Sequence, residues 1–120
     1  QETAKAIIEA VRNLDDGPLP IMGLAGSPMI AWIKQAGLTA LQEAFADRRY
    51  EANGQLRSRK HHDAVIKDPD LAAQQALQIV NERSVTAITG EIIKIHADTL
   101  CVHGDSPNAL LIARNIRTQF

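Results

Sequence analysis

Apolar positions along this chain fall into alternating helical and extended rhythms. In ETAKAIIEAVRNLD, the spacing of Ala4, Ile7, Ile8 and Val11 predicts an amphipathic helix, with Thr3 as its N-cap and Gly17-Pro18 as its stop. LPIMGLAG is a continuous apolar run of the kind found in a strand buried on both faces. Ser27-Pro28 then starts a helix: a serine oxygen accepts from a free helix N–H, and proline presets φ for the first turn. That helix, PMIAWIKQA, is expected to bury Met29, Ile30 and Ile33 and to stop at Gly37.

LTALQEAFAD predicts a second strand. DRRYEANGQLRSRKHHD is polar, and Asn53-Gly54 is its strongest turn signal, so a long loop or a small hairpin is expected. Asp68-Pro69 caps a third helix with Ala73, Ala76, Leu77 and Val80 on one face. SVTAITGEIIKIHA carries one or two short strands split at Gly90. TLCVHGDSPNALLIA runs from a last strand into a last helix, whose Ala109, Ile112, Ala113, Ile116 and Phe120 share a face. Strands alternating with helices predict an α/β fold, parallel strands joined by helical crossovers, in one domain over residues 1–120. The echo between GLAGSPMIAWIK and CVHGDSPNALLIAR is a shared way of starting a helix after a strand, not a repeat.

Composition narrows the classes. With 45% hydrophobic and 22% charged residues the chain has the ordinary balance of a globular protein, and a chain of this size buries about two-thirds of its unfolded surface. Thirteen basic residues against fourteen acidic ones form no basic run, so nucleic acid is not an expected partner. No stretch approaches the roughly 20 apolar residues of a membrane span, and no signal-peptide pattern opens the chain. The lone Cys101 lies in an apolar run as a reduced thiol, which suits the cytoplasm. The sequence starts at Gln1 directly in helix-like residues, as a piece of something longer would.

Candidate chemistry gathers at two strand ends. Thr99, Cys101 and His103 share one strand face while Leu100 and Val102 take the other. Side chains at the carboxyl ends of parallel strands build active sites in α/β folds. There, His103 and Asp105 can bind a divalent metal or exchange protons with a substrate; alternatively Asp105 caps the helix and His103 bonds backbone. On the second strand Glu43, Phe45 and Asp47 share a face, with Arg48 and Tyr50 just beyond. Carboxylates beside an arginine orient a polar substrate or form a structural ion pair. His61-His62-Asp63 reads as solvated loop, since adjacent extended residues point to opposite sides, and His96 as surface or structural. GLAG with Ser27 lacks the spacing and lysine of a Walker loop, and no nucleophile elbow surrounds the serine, so capping explains it.

Taken together and in order, GLAGSP, EAFADRRY, GQLRSR, AVIKDP, ITGE and TLCVHGDSPNAL resemble the carboxyl-terminal half of the LamB/YcsF family. The resemblance implies part of a distorted (β/α) barrel, roughly its last half. It also implies a role in the first component of an ATP-dependent 5-oxoprolinase, which opens 5-oxo-L-proline to L-glutamate together with subunits B and C, ATP being the co-substrate. On this likeness His103 and Asp105 match the H-G-D motif, and Glu43, Asp47, Arg48 and Tyr50 match E-x-F-A-D-R-x-Y. Glu43, Asp47, His103 and Asp105 are then the expected catalytic positions. Arg48 and Tyr50 are expected to bind substrate, with Arg48 holding a carboxylate or phosphate; His103 and Asp105 are candidate ligands of a divalent metal. The amino-terminal motifs of the family, D-L-N-x-D-x-G-E and G-F-H-x-G-D among them, are not in this chain. Half a barrel leaves a sheet edge and an inner face for the missing half or for self-association to cover. The alternatives are a non-catalytic interaction module, or a metal-dependent amide or acetyl hydrolase on the same barrel.

Overall fold

A computed structural model describes residues 1–14 and 19–120. Helix α1 (Glu2–Arg12) opens the chain and buries Ala4 and Ile8. Its N-cap position is Gln1, so Thr3 lies inside the first turn rather than capping it. The expected stop at Gly17-Pro18 lies outside the described residues. Strand β1 (Ile21–Leu24) and helix α2 (Pro28–Gln35) follow, then strand β2 (Ala40–Phe45). Gly37 makes the turn after α2 at φ +79°, a conformation that costs glycine nothing.

Burial on both faces of β1 is not what the fold provides. Ile21 and Gly23 are buried while Met22 is 49% exposed, because α2 covers only one side of the sheet. Gly23 permits that cover: a Cβ there would sit 3.2 Å from Ile30 Cδ1. Ile8, Ile21 and Ile33 form the core of this layer.

The chain then runs through a polar loop to helix α3 (Pro69–Leu77), whose Asp68 cap accepts from the N–H groups of Asp70 and Leu71. A π-helical turn over Gln78–Glu82 leads into strands β3 (Ser84–Thr86) and β4 (Ile92–Lys94). Gly90, at φ +92°, divides β3 from β4, as expected. These two strands pair antiparallel, a hairpin in place of a parallel unit. It closes a core of Ala25, Ala44, Tyr50, Ile79, Val85 and Ile95. The hairpin delivers the chain to strand β5 (Thr99–Cys101) and helix α4 (Ala109–Gln119). On α4 only Ile112 is fully buried, and Phe120 is 57% exposed.

The main sheet has the order β1-β2-β5, all parallel. Its register sets Glu43 opposite Thr99 and Phe45 opposite Cys101. One face therefore carries Met22, Leu24, Leu41, Glu43, Phe45, Thr99 and Cys101, and the other meets α2 and the hairpin, while α4 packs on α3. Both β1 and β5 end the sheet, so among the described residues each has an unpaired edge. Among the described residues, no helix is long and apolar enough to cross a membrane.

Candidate functional site

Because β2 and β5 are parallel and in register, their carboxyl ends open at the same end of the sheet. Two residues beyond each strand, Asp47 and His103 meet. The Asp47 carboxylate is fully buried; its Oδ2 accepts the His103 backbone N–H at 2.8 Å and its Oδ1 lies 3.0 Å from His103 Nδ1. A buried carboxylate is costly unless donors satisfy it. An ionised carboxylate only accepts, so Nδ1 is the protonated nitrogen and Nε2 carries the lone pair. Phe45 stacks on the imidazole, with centroids 5.3 Å apart and planes 13° from parallel. The ring is thereby fixed in position and in tautomer, with its side chain still 25% exposed.

Pinning the end of β2 is a residue that no sequence motif marks. Gln75 of α3 is buried, and its Nε2 donates to the carbonyls of Phe45, Ala46 and Arg48 at 2.8, 3.3 and 2.8 Å. Its only signal is a polar residue between Ala72 and Ala76 on the buried helix face. Beyond Asp47 the chain folds back on itself, with Arg49 donating to Ala64 and Ile66 to Asp47 through their backbones. The loop is braced by Arg57, which pairs with Glu51 and Asp63 at 2.9 and 2.8 Å; Asp63 is held below the usual carboxylate value mainly by that contact. His61-His62-Asp63 is loop, as expected, both histidines being exposed.

The remaining candidate residues separate. Glu43 is half-buried on the same sheet face as Phe45. Burial, aided by Glu43 and Asp47, pushes the Cys101 thiol up, away from thiolate chemistry. Arg48 is 8% exposed; its Nη2 donates to the Arg57 carbonyl at 2.8 Å, and its buried Nε meets no acceptor. Burial and then Arg59 pull its pKa below the ordinary arginine value, against Asp47 and Tyr50. Tyr50 is fully buried in the core with Ala44, on the other face of β2 from Phe45. Its hydroxyl accepts the Phe45 N–H at 3.0 Å, and burial raises it to about 12.

Asp105 does not cap α4, whose N-cap is Asn108. Its exposed carboxylate lies 3.4 Å from Arg59 Nη1. Arg59, Val65, Lys67, His103, Asp105, Ser106 and Pro107 line a cavity of about 190 Å³. Among the described residues no three histidine, cysteine or carboxylate side chains gather as a metal site. With Asp47 turned onto His103 and Asp105 facing Arg59, the described donors at this site do not by themselves fit a divalent cation. A larger cavity, about 680 Å³, lies elsewhere, between residues 24–28, the 53–56 turn and the hairpin; it includes Tyr50 but neither Asp47 nor His103. Ser27 lines it with a buried Oγ that has no partner, so this serine does not cap α2 as expected. His96 is exposed, as a surface or structural residue would be, and its Nε2 lies 3.1 Å from Asp98 Oδ1.

Comparison with known proteins agrees with this layout. The model of the LamB/YcsF family matches residues 1–120. The chain is 46% identical over 117 residues to the A component of the 5-oxoprolinase of Limosilactobacillus fermentum, covering 98% of this chain and 47% of that protein. It is 49% identical over 114 residues to its counterpart in Bordetella pertussis, covering 95% and 45%. A crystal structure of a lactam utilization protein from Thermus thermophilus superposes with a TM-score of 0.87 at 41% identity, over 97% of this chain and 45% of that one. The chain thus spans about half the length of the relatives it matches. It belongs to the LamB/YcsF family.

Proposed function

We propose that this chain is the carboxyl-terminal half of the A component of an ATP-dependent 5-oxoprolinase, and that His103, held by Asp47, is the proton carrier of lactam opening. The observation that carries this reading is the Asp47 carboxylate spending both oxygens on His103. An imidazole fixed at the mouth of a cavity is the arrangement general acid–base catalysis needs. The names of the relatives supply the reaction. The unpaired edges of β1 and β5 and the exposed Met22 support closure of a distorted (β/α) barrel by the other half of the component.

The chemistry follows from the stability of an amide. Transfer of a phosphoryl group from ATP to the lactam oxygen makes C5 electrophilic. Water adds to C5 while His103 Nε2 takes its proton; the C–N bond breaks and the nitrogen is protonated. The resulting acyl phosphate is hydrolysed by a second water to L-glutamate and phosphate. Asp105 shares the cavity with the imidazole and Glu43 lies on the same sheet face as Phe45, two residues back along β2, while Arg48, Tyr50 and Gln75 hold the chain that carries Asp47. Subunits B and C and the missing half supply the rest of the site.

The test is glutamate formation from 5-oxo-L-proline and ATP by the complete A component with its partner subunits. His103→Gln is expected to lower kcat by about 10²–10⁴-fold, the usual weight of acid–base catalysis. Wild-type turnover by that variant overturns the assignment.

A further inference from the structure

We propose that the cavity beside His103 is an oxyanion clamp, in which Arg59 and Lys67 hold the carboxylate or phosphoryl group of a small ligand against the imidazole. Three observations converge on it. The first is charge. Arg59 and Lys67 share the walls of one cavity with His103, and Asp47, turned onto His103, is not among the residues that line it. Asp105 is the one carboxylate in the lining, and its contact with Arg59 is weak: 3.4 Å, with side chains 49% and 70% exposed. A strong charge-assisted bond is nearer 2.8 Å, and exposed pairs of this kind add little. Asp105 therefore acts as a placeholder that an incoming anion displaces.

The second is size. At about 190 Å³ the cavity is smaller than the roughly 300–1,000 Å³ of sites that enclose a whole drug-sized ligand. It suits a small acid or a phosphoryl group, not a nucleotide. The third is Arg48, nine-tenths buried, with a guanidinium Nε that meets no acceptor. Burial and then Arg59 lower its pKa while Asp47 acts against them, so an anion held by Arg59 eases the repulsion between the two arginines. Gripping thus falls to Arg59 and Lys67, while Arg48, tied to the Arg57 carbonyl, stays behind the wall.

The ligand class rests on the proposed 5-oxoprolinase reading; the clamp itself does not. Two sources share the chemistry, the carboxylate of 5-oxo-L-proline and the phosphoryl group that ATP delivers. The complete A component is titrated separately with 5-oxo-L-proline and with inorganic phosphate, following the His103 ring nitrogens by NMR; KM is measured in parallel with the partner subunits present. At least one probe is expected to shift the ring signals. The Arg59→Gln/Lys67→Gln double variant is expected to bind that probe about tenfold or more weakly, as loss of charge-assisted bonds implies, and Arg59→Lys to recover part of it. Weaker 5-oxo-L-proline binding with a raised KM identifies the carboxylate; weaker phosphate binding with unchanged KM identifies the phosphoryl group. Both substituted side chains are exposed, and unaltered thermal unfolding confirms the fold. Asp105→Asn, which removes the placeholder, is expected to tighten the same probe. Equal affinity of wild type and double variant for both probes overturns the clamp, as does the absence of any ring shift in the wild type. Probe binding that is lost in the double variant while no glutamate forms in the assembled enzyme upholds the clamp and overturns the oxoprolinase reading instead.

Discussion

Asp47→Asn is the most searching perturbation of this site, because it keeps shape and removes only a charge and an acceptor. The native carboxylate accepts two bonds from His103, from a backbone N–H at 2.8 Å and from the ring at 3.0 Å. An amide offers one oxygen and one NH₂. The backbone N–H cannot move, so it keeps the oxygen, and the NH₂ must face Nδ1. Nδ1 then has to accept, which transfers the ring proton to Nε2 and abolishes the base at that edge. Two bonds to a charged acceptor, each about 1.5–3 kcal/mol, become ordinary ones of about 0.5–1.5. A fully buried position lets no water compensate. Stability should fall by about 2–4 kcal/mol, and kcat by about 10²–10⁴-fold for want of a base. Nitrogen NMR of the imidazole reads the tautomer, urea unfolding of the complete A component reads stability, and glutamate release reads catalysis. Retention of the Nδ1–H tautomer with turnover within a few-fold of wild type would refute the reasoning.

Gln75→Leu strands three carbonyls at the end of β2; a loss of about 2–4 kcal/mol is expected in urea unfolding, and an unchanged midpoint contradicts the pinning role. Tyr50 is the chain's single tyrosine, raised from 10.0 to about 12 by burial. The unfolded chain ionises it first, so its contribution to stability is whole below pH 10 and is lost as pH rises to about 12; near-ultraviolet tyrosinate absorbance on alkaline titration should track unfolding, and an early, reversible ionisation of the folded chain counts against it. Asp98 is held below 3.8, chiefly by the Gln42 N–H and then by His96, so its support is present above pH 3.8 and disappears only as pH falls through its lower folded value; an Asp98→Asn variant should lose that acid-limb component in pH-dependent melting. The 120-residue chain alone should form no glutamate from 5-oxo-L-proline and ATP, and turnover without any other subunit contradicts the half-site.

Local rules made much of the fold legible. Asp68-Pro69 set the start of α3, Gly90 divided the hairpin, and LTALQEAFAD contained β2, because caps, turns and strand patterns act within a few residues. What failed depends on neighbours. The run at Ile21–Leu24 gave apolarity on both faces, but periodicity does not say what covers each face, and Met22 lies open. Ser27 sits at the N-cap position with extended backbone, yet its hydroxyl turns inward. At the site, the alternation that placed Asp47 and His103 on one face of adjacent strands anticipated their meeting. Tyr50 and Arg48 instead turn inward, where the Tyr50 hydroxyl meets the Phe45 N–H and Arg48 Nη2 the Arg57 carbonyl. Gln75 carries no motif; Arg59 and Lys67 lie in GQLRSR and AVIKDP, but only the tertiary path of the polar loop brings them to the strand ends.

The division of labour between this half and the rest of the protein follows from where the contacts lie. Every bond that fixes the imidazole comes from within the chain: Asp47, Phe45 and, through β2, Gln75. The exposed sheet face and the edges of β1 and β5 belong to surfaces that another segment must cover. Substitutions on that face, such as Met22→Asp, therefore act on assembly, whereas the His103 tautomer is set before assembly occurs. A proton carrier prepared in advance costs no reorganisation at the moment of reaction. On the proposed reading, the inactivity expected of the isolated chain lies in the part of the pocket that it does not carry, not in an unformed base.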